Sequence, residues 1–333
     1  MIRMPAEWED QEFVQLVFPH EDTDWAPYLD EAIETFVNIA KAISKKQKCL
    51  IVAKNLSYVK SLFANKKNLT FVKIDNNDTW SRDFGGITVV SNGKYLILDF
   101  IFNAWGKKFA YDKDNKITSK LKLKGLFNDY LHQSIPFVLE GGSIESDGKG
   151  VILTTTECLM EKNRNPRYSQ KAIEKKLMET LGAKKVLWLD HGALEGDDTD
   201  SHIDTIARLV SDDMIVYQDC DDKNDSHYES IKAMEKQLST FTNLEGKRYK
   251  LVALPWIEAK YFDEERLPAT YANFLIINGA VLVPTYNDKN DDKALEIMKK
   301  VFPKREIVGI DCSALIKQHG SLHCVTMQYP KIK

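Results

Sequence analysis

The chain has 333 residues, with 46 Lys plus Arg against 49 Asp plus Glu and a formal charge of -3. That near-balance excludes a protein built mainly to hold polyanions, so no nucleic-acid partner is expected. With 43% hydrophobic and 29% charged residues, the composition is that of a globular chain with a sizeable core, not of a disordered one.

Residues 1–10 lack the apolar core of a signal peptide, and no later run is long and apolar enough to span a bilayer. A cytoplasmic protein with no membrane partner is expected. Cys49, Cys158, Cys220, Cys312 and Cys324 are odd in number and form no CxxC pair, which argues against a disulfide framework and a thiolate zinc site. No linker or low-complexity run divides the sequence, so residues 1–333 read as one domain.

In chain order, a helix is expected over 29–43 and a strand over 71–74. Two β-rich runs, 87–90 and 95–98, flank Asn92-Gly93, residues that tolerate the positive φ of a hairpin turn. A helix is expected over 121–131, then a hairpin from 143–145 through Asp147-Gly148 to 151–153. The helix over 168–181 sets Ile173, Leu177 and Leu181 on one face and leads to an apolar run at 186–189. A weaker hairpin around Asp212-Asp213 joins 206–210 to 214–217, ahead of a helix over 227–238 and a strand over 251–254. The last hairpin joins 274–277 to 280–283 through Asn278-Gly279, followed by a helix over 292–301 and a strand over 306–310. Strand, loop, hairpin and helix thus recur roughly every 55 to 66 residues, which suggests α/β modules arranged around an axis. The alternative is an ordinary α/β sandwich with evenly spaced hairpins.

Ahead of these hairpins stand residues that a purely structural strand would not choose. Residues 77–86 contain Trp80 and Asp83, 140–142 begins with Glu140, and 196–204 contains Asp198, His202 and Asp204. Residues 320–324, ending on Cys324, occupy the equivalent place near the C-terminus. Each cluster alone has a plainer reading. The acidic run at 197–204 reads as a solvated loop or cap, or as a divalent-metal loop, although it lacks the central Gly and terminal Glu of an EF-hand. Cys324 and Trp80 read as packing residues. His202 and Asp204, two apart, would share one face of a strand. Around an axis the four clusters would converge, and their coincidence favours a site.

With these motifs the chain resembles the guanidino-group-modifying superfamily, and within it the agmatine deiminases of the Porphyromonas-type peptidylarginine deiminase family. The likeness runs through residues 4–9, 77–86, 102–106, 140–145, 163–166, 197–204 and 320–324. It implies a five-module, pseudo-fivefold α/β propeller with its site on the axis, and a homodimer or higher homo-oligomer. It also implies Cys324 as nucleophile, His202 as general acid and base, and Glu140 as the carboxylate that orients the histidine. Asp83 and Asp204 match the pair that grips a guanidinium, and Trp80 an aromatic wall. Two segments depart from the pattern: Phe84-Gly85-Gly86 replaces a Gly-Pro, and His319-Gly320-Ser321 replaces a Gly-Gly run. Neither removes a reactive group.

A guanidinium stays protonated at neutral pH, so carboxylates must accept its N–H donors. Its delocalised carbon is a poor electrophile, which calls for a thiolate. Cys324 would attack, and His202 would protonate the departing nitrogen and then activate water, with no metal or organic cofactor. The expected substrate is agmatine, hydrolysed to N-carbamoylputrescine and ammonia, with Asp198 as the candidate acceptor of its amine. Free arginine or peptidylarginine deiminases and an amidinotransferase are the near alternatives. A non-catalytic guanidino- or metal-binding protein is the remote one.

Overall fold

Each pair of β-rich runs separated by a tight turn becomes an antiparallel pair in the computed structural model, which describes residues 2–332. Ile87–Ser91 pairs with Lys94–Ile101, and the turn between them has φ of 50° at Asn92 and 77° at Gly93, the left-handed values that a tight hairpin requires. Ile144–Ser146 pairs with Val151–Thr155, Ala207–Ser211 with Met214–Gln218, and Leu275–Ile277 with Ala280–Thr285.

In all four cases the second hairpin strand gains a parallel neighbour: Leu131–Val138, Lys185–Leu189, Lys250–Leu254 and Glu306–Asp311 respectively. Parallel pairing needs a crossover. The helices Ile117–Leu123, Gln170–Leu181, Tyr228–Leu238 and Asp291–Val301 lie in those connections. A fifth sheet repeats the pattern with strands from both ends of the chain. Thr326–Pro330 runs antiparallel to Gln11–Val17, which is parallel to Lys48–Ala53, itself parallel to Leu69–Lys73. The helix Leu29–Ser44 makes its first crossover and buries Ile33, Phe36, Val37, Ala40 and Ile43, spaced by three and four, against the sheets. A separate two-stranded hairpin, Lys260–Phe262 with Glu265–Leu267, completes this mixed α/β fold. Among the described residues no helix is long and apolar enough to cross a membrane.

The helix expected over 121–131 is misplaced. It spans Ile117–Leu123 and is closed at Gly125, φ 78°, where the amide of Leu126 bonds the carbonyl of Leu121 and that of Gly125 the carbonyl of Lys122. This is a Schellman stop. Leu123 is 86% exposed and Leu131 already opens a strand, so apolar residues read as one helical stripe belong to two elements.

Candidate active site

The first strand of each of the four hairpins that gain a parallel neighbour, and Thr326–Pro330 of the fifth sheet, is preceded by a short irregular segment, and these segments carry the polar residues. Asp83 lies in the helical turn Ser81–Phe84 before Ile87–Ser91, and Glu140 stands just before the turn Gly141–Ser143 that leads into Ile144–Ser146. His202 stands before the turn Ile203–Thr205, which holds Asp204, and Cys324 precedes Thr326–Pro330. Asn273 has the same place ahead of Leu275–Ile277. The sequence reading passes over Asn273 because a carboxamide carries no reactive group; its position before a recognised hairpin is the signal that could have found it.

Gly142 marks where these segments meet. A Cβ there would lie 2.7 Å from Oδ1 of Asp83, 2.7 Å from Nδ1 of His202 and 3.1 Å from Oδ2 of Asp204, so only glycine fits. Its amide donates to Oδ1 of Asp83 at 3.0 Å, and the indole N–H of Trp105 donates to Oδ2 at 3.0 Å. Nδ1 of His202 is 3.6 Å from the same carboxylate. Oδ2 of Asp204 lies 2.6 Å from Nδ1 of His323, whereas its Oδ1 is buried without a hydrogen-bond partner among the described residues. Both ring nitrogens of His202 also lack an oxygen or nitrogen partner. The thiol of Cys158 is hydrogen-bonded to the His202 ring, which leaves its other nitrogen and Oδ1 of Asp204 for a ligand's donors and acceptors to complete.

His202 and Asp204 do not sit in a strand. Ile203–Thr205 is a 3-10 turn, held by the amide and hydroxyl of Thr205 on the carbonyl of His202 at 3.2 and 2.8 Å, so a bend rather than strand alternation brings the two side chains together. Ahead of it, Asp200 and Ser201 are left-handed, with φ of 63° and 67°. Arg164 clamps this loop. Its Nη1 donates to Asp200 at 2.6 Å and its Nη2 to the carbonyl of Thr199 at 2.7 Å, while Nε reaches both carboxylate oxygens of Glu140 at 2.9 and 3.1 Å. Glu140 is therefore hydrogen-bonded to Arg164 and not to His202.

Two buried groups bring metal-ligating atoms within 4.8 Å of one another: Glu140, Cys158 and His202, and Glu7, Glu145 and His323. In each an arginine already pairs with the carboxylates, Arg164 in the first and Arg208 in the second, placing a cation where a metal would compete for them. The acidic run is likewise committed. Asp197 accepts from the amides of Thr199 and Ser201, and Asp200 pairs with Arg164 and Lys108.

A cleft opens to Cys324 and Asp83, walled by Trp80, Trp105 and Phe109, with Asp24, Asp78, Asp198 and His319 also lining it. Among the described residues no Lys or Arg lines it. Trp80 packs flush on the backbone of Gly320, where a Cβ would come within 2.2 Å of the indole, and Trp25 backs it at 5.5 Å. The thiol of Cys324 is 3.4 Å from Oδ1 of Asn273. Glu140, His202 and Asp204 are buried and do not line the cleft.

Burial, reinforced by the carboxylates of Asp204 and Asp83, holds the Cys324 thiol well above its ordinary pKa. Burial works against a charged His202, yet Asp83, Cys158 and Glu140 hold its pKa well above the usual histidine range. Burial also pushes Asp83 up to about 6, against the pull of His202. At the mouth, burial and the neighbouring Asp197 push Asp198 up to about 6, and burial does the same to Asp78.

Comparison with known proteins matches residues 3–330 to the model of the Porphyromonas-type peptidyl-arginine deiminases. A cysteine-to-serine variant of C. jejuni agmatine deiminase with substrate bound shares 41% identity and a TM-score of 0.93, covering 99% of this chain and 97% of that one. An Enterococcus faecalis agmatine deiminase shares 31% identity at a TM-score of 0.90, over 100% and 96% of the two chains. A Porphyromonas gingivalis protein described as a "putative arginine deiminase" shares 50% identity at a TM-score of 0.96, over 99% of each.

Proposed function

From membership of the Porphyromonas-type peptidyl-arginine deiminase family, to which this chain belongs, we infer that the protein is an agmatine deiminase, a hydrolase of a guanidino C–N bond. The observation that carries the substrate choice is the cleft. It leads from Asp24, Asp78 and Asp198 to a thiol beside Asp83, and among the described residues no Lys or Arg lines it, the neighbouring Lys108 being paired with Asp200 and the carbonyl of Asp198. Agmatine has an ammonium where arginine adds a carboxylate, so the acidic mouth favours it. Asp198 and Asp78, with carboxyls pushed up to about 6, gain their charge fully when that ammonium arrives.

Supported by their shared topology, the five sheets are the blades of a pseudo-fivefold α/β propeller, with Asp83, Glu140, His202, Asn273 and Cys324 at corresponding blade ends. Five free, buried thiols support a reducing, cytoplasmic setting.

The chemistry follows from the charges. Asp83 and the unpaired Oδ1 of Asp204 accept guanidinium N–H donors. By themselves these carboxylates oppose ionisation of Cys324; a guanidinium bound between them reverses that field and favours the thiolate. Sγ attacks the guanidinium carbon, His202 gives its proton to the departing nitrogen, and ammonia leaves. The planar S-alkylthiouronium then takes a water oxygen at the same carbon while the neutral His202 accepts the proton. Cleavage of the C–S bond returns the thiolate and frees the ureido product, N-carbamoylputrescine.

The test is product analysis on agmatine, arginine and a blocked arginyl peptide in parallel. Agmatine should give ammonia and a ureido product with the highest kcat/KM, and Cys324→Ser should lose at least about a hundredfold in turnover while still binding it. A preference for arginine or the peptide would overturn the substrate assignment.

A further inference from the structure

His323, next to Cys324, takes no part in the steps above, yet its buried ring lies between two carboxylates. Nδ1 is 2.6 Å from Oδ2 of Asp204, and Nε2 is 2.7 Å from Oε2 of Glu7. An ionised carboxylate only accepts hydrogen bonds, so each contact needs a proton on the ring, and a ring with both protons is an imidazolium. A neutral ring would set one lone pair against a carboxylate oxygen in a buried site. Nη2 of Arg208 is 3.0 Å from Nε2, but it also donates to Oε2 of Glu7 at 2.9 Å, so both cations converge on one acceptor. The other oxygen of Glu7 is fixed by the amide of Ile276 at 2.7 Å.

We propose that His323 is a positioning residue of the deiminase site, an imidazolium bridging Glu7 and Asp204 that keeps Asp204 ionised, with Oδ2 occupied and Oδ1 free for a guanidinium N–H. The assignment rests on the deiminase reading for its consequence, though not for its geometry. Asp204 is influenced by the cations His323, His202, Arg208 and Arg82 and by the acidic groups Asp83 and Cys324. Of the cations only His323 is hydrogen-bonded to its carboxylate. Without that charge a carboxylate this deeply buried takes up a proton at higher pH. A protonated Asp204 no longer accepts from the substrate with a full charge, so KM rises at neutral pH and recovers as pH is raised.

Two substitutions separate charge from shape. Glu7→Gln removes the distant carboxylate without touching Asp204, and His323→Asn keeps an N–H donor toward Asp204 without a charge. In each, KM for agmatine at neutral pH should rise about tenfold or more and fall back toward wild type in alkaline buffer, with alkaline kcat within about threefold. Nitrogen-15 spectra of the free wild-type protein should show His323 protonated at both nitrogens at neutral pH, and Glu7→Gln should lose that pattern. A KM that is unchanged, or raised equally at every pH, or a neutral wild-type ring, overturns the assignment. If His323→Asn fails to fold, Glu7→Gln and the wild-type spectrum still decide. The spectrum needs no substrate, so a protein that turned over no guanidine would sink the deiminase reading while the imidazolium was judged separately.

Discussion

On the proposed mechanism Asp83 has to stay ionised inside a site that resists it. Burial pushes its carboxyl up to about 6, with Asp204 and Glu140 adding to the rise and His202 opposing it. Only the anion accepts guanidinium donors at full strength, so kcat/KM for agmatine should fall as pH drops through the region near 6, toward tenfold per unit. On the alkaline side the proposed mechanism requires His202 to remain protonated, so that it can supply the departing nitrogen. Its pKa is held well above the ordinary range, so the second limb should lie well to the alkaline side of an unperturbed histidine. A kcat/KM profile from about pH 5 to about pH 10 reads both limbs. A rate flat through the acid region would remove Asp83 as the anion that grips the substrate.

Among the elements, the segment 103–108 has the most unusual backbone. Ala104, Trp105, Gly106 and Lys107 have φ of 52°, 52°, 88° and 71°, a left-handed turn that costs about 1–2 kcal/mol at each non-glycine residue. What offsets it is local: Oδ1 of Asn103 accepts the amide of Gly106 at 3.0 Å, and Trp105 packs edge-on against Phe102 and Phe109. The turn aims the indole N–H at Asp83. Trp105→Phe keeps a ring but loses that donor, so the Asp83 carboxyl should rise further. The expected loss in kcat/KM is about three- to tenfold at neutral pH, mostly recovered in alkaline buffer, where Asp83 is ionised regardless. An equal loss at every pH would make Trp105 a wall and nothing more. Residues 102–106 could be matched to a family, but no propensity argument predicts consecutive left-handed residues, because tertiary contacts impose them. The hairpins were legible for the opposite reason: Asn92-Gly93 and Asn278-Gly279 encode their turns locally. The helix placed over 121–131 failed because Gly125, a local stop, was outweighed by the apolar Leu131 beyond it. Arg164 and His323 were opaque as partners of Glu140 and Asp204, since nothing in sequence spacing shows which buried charges meet.

Over the whole molecule, the four hairpin-bearing sheets were legible from periodicity, whereas the fifth joins residues 11–17 to 326–330 and has no hairpin to announce it. The consequence is mechanical. Cys324 stands just ahead of a strand anchored on Gln11–Val17, and Glu7, just before that strand, is the acceptor for Arg208 and His323. The thiol's position therefore depends on the N-terminal segment as much as on its own neighbours. The amide of Lys331 bonds the carbonyl of Asp10 at 2.8 Å, so the two ends run side by side there. Linking the termini through a flexible Gly/Ser segment and reopening the chain between Asn92 and Gly93 would cut an exposed turn where even an added Cβ meets nothing. That permutant should fold and keep kcat within about threefold of wild type, with a Tm a few degrees lower, because each strand keeps its partners. Reopening instead between Leu322 and His323 frees the thiol-bearing end from Asp204 and Glu7, and should abolish turnover even if the protein remains soluble. Thermal melts and agmatine turnover on the two permutants decide the matter. Equal activity in both would mean that Cys324 is held by the C-terminal strand alone, and that the closing of the fifth sheet is incidental to the site.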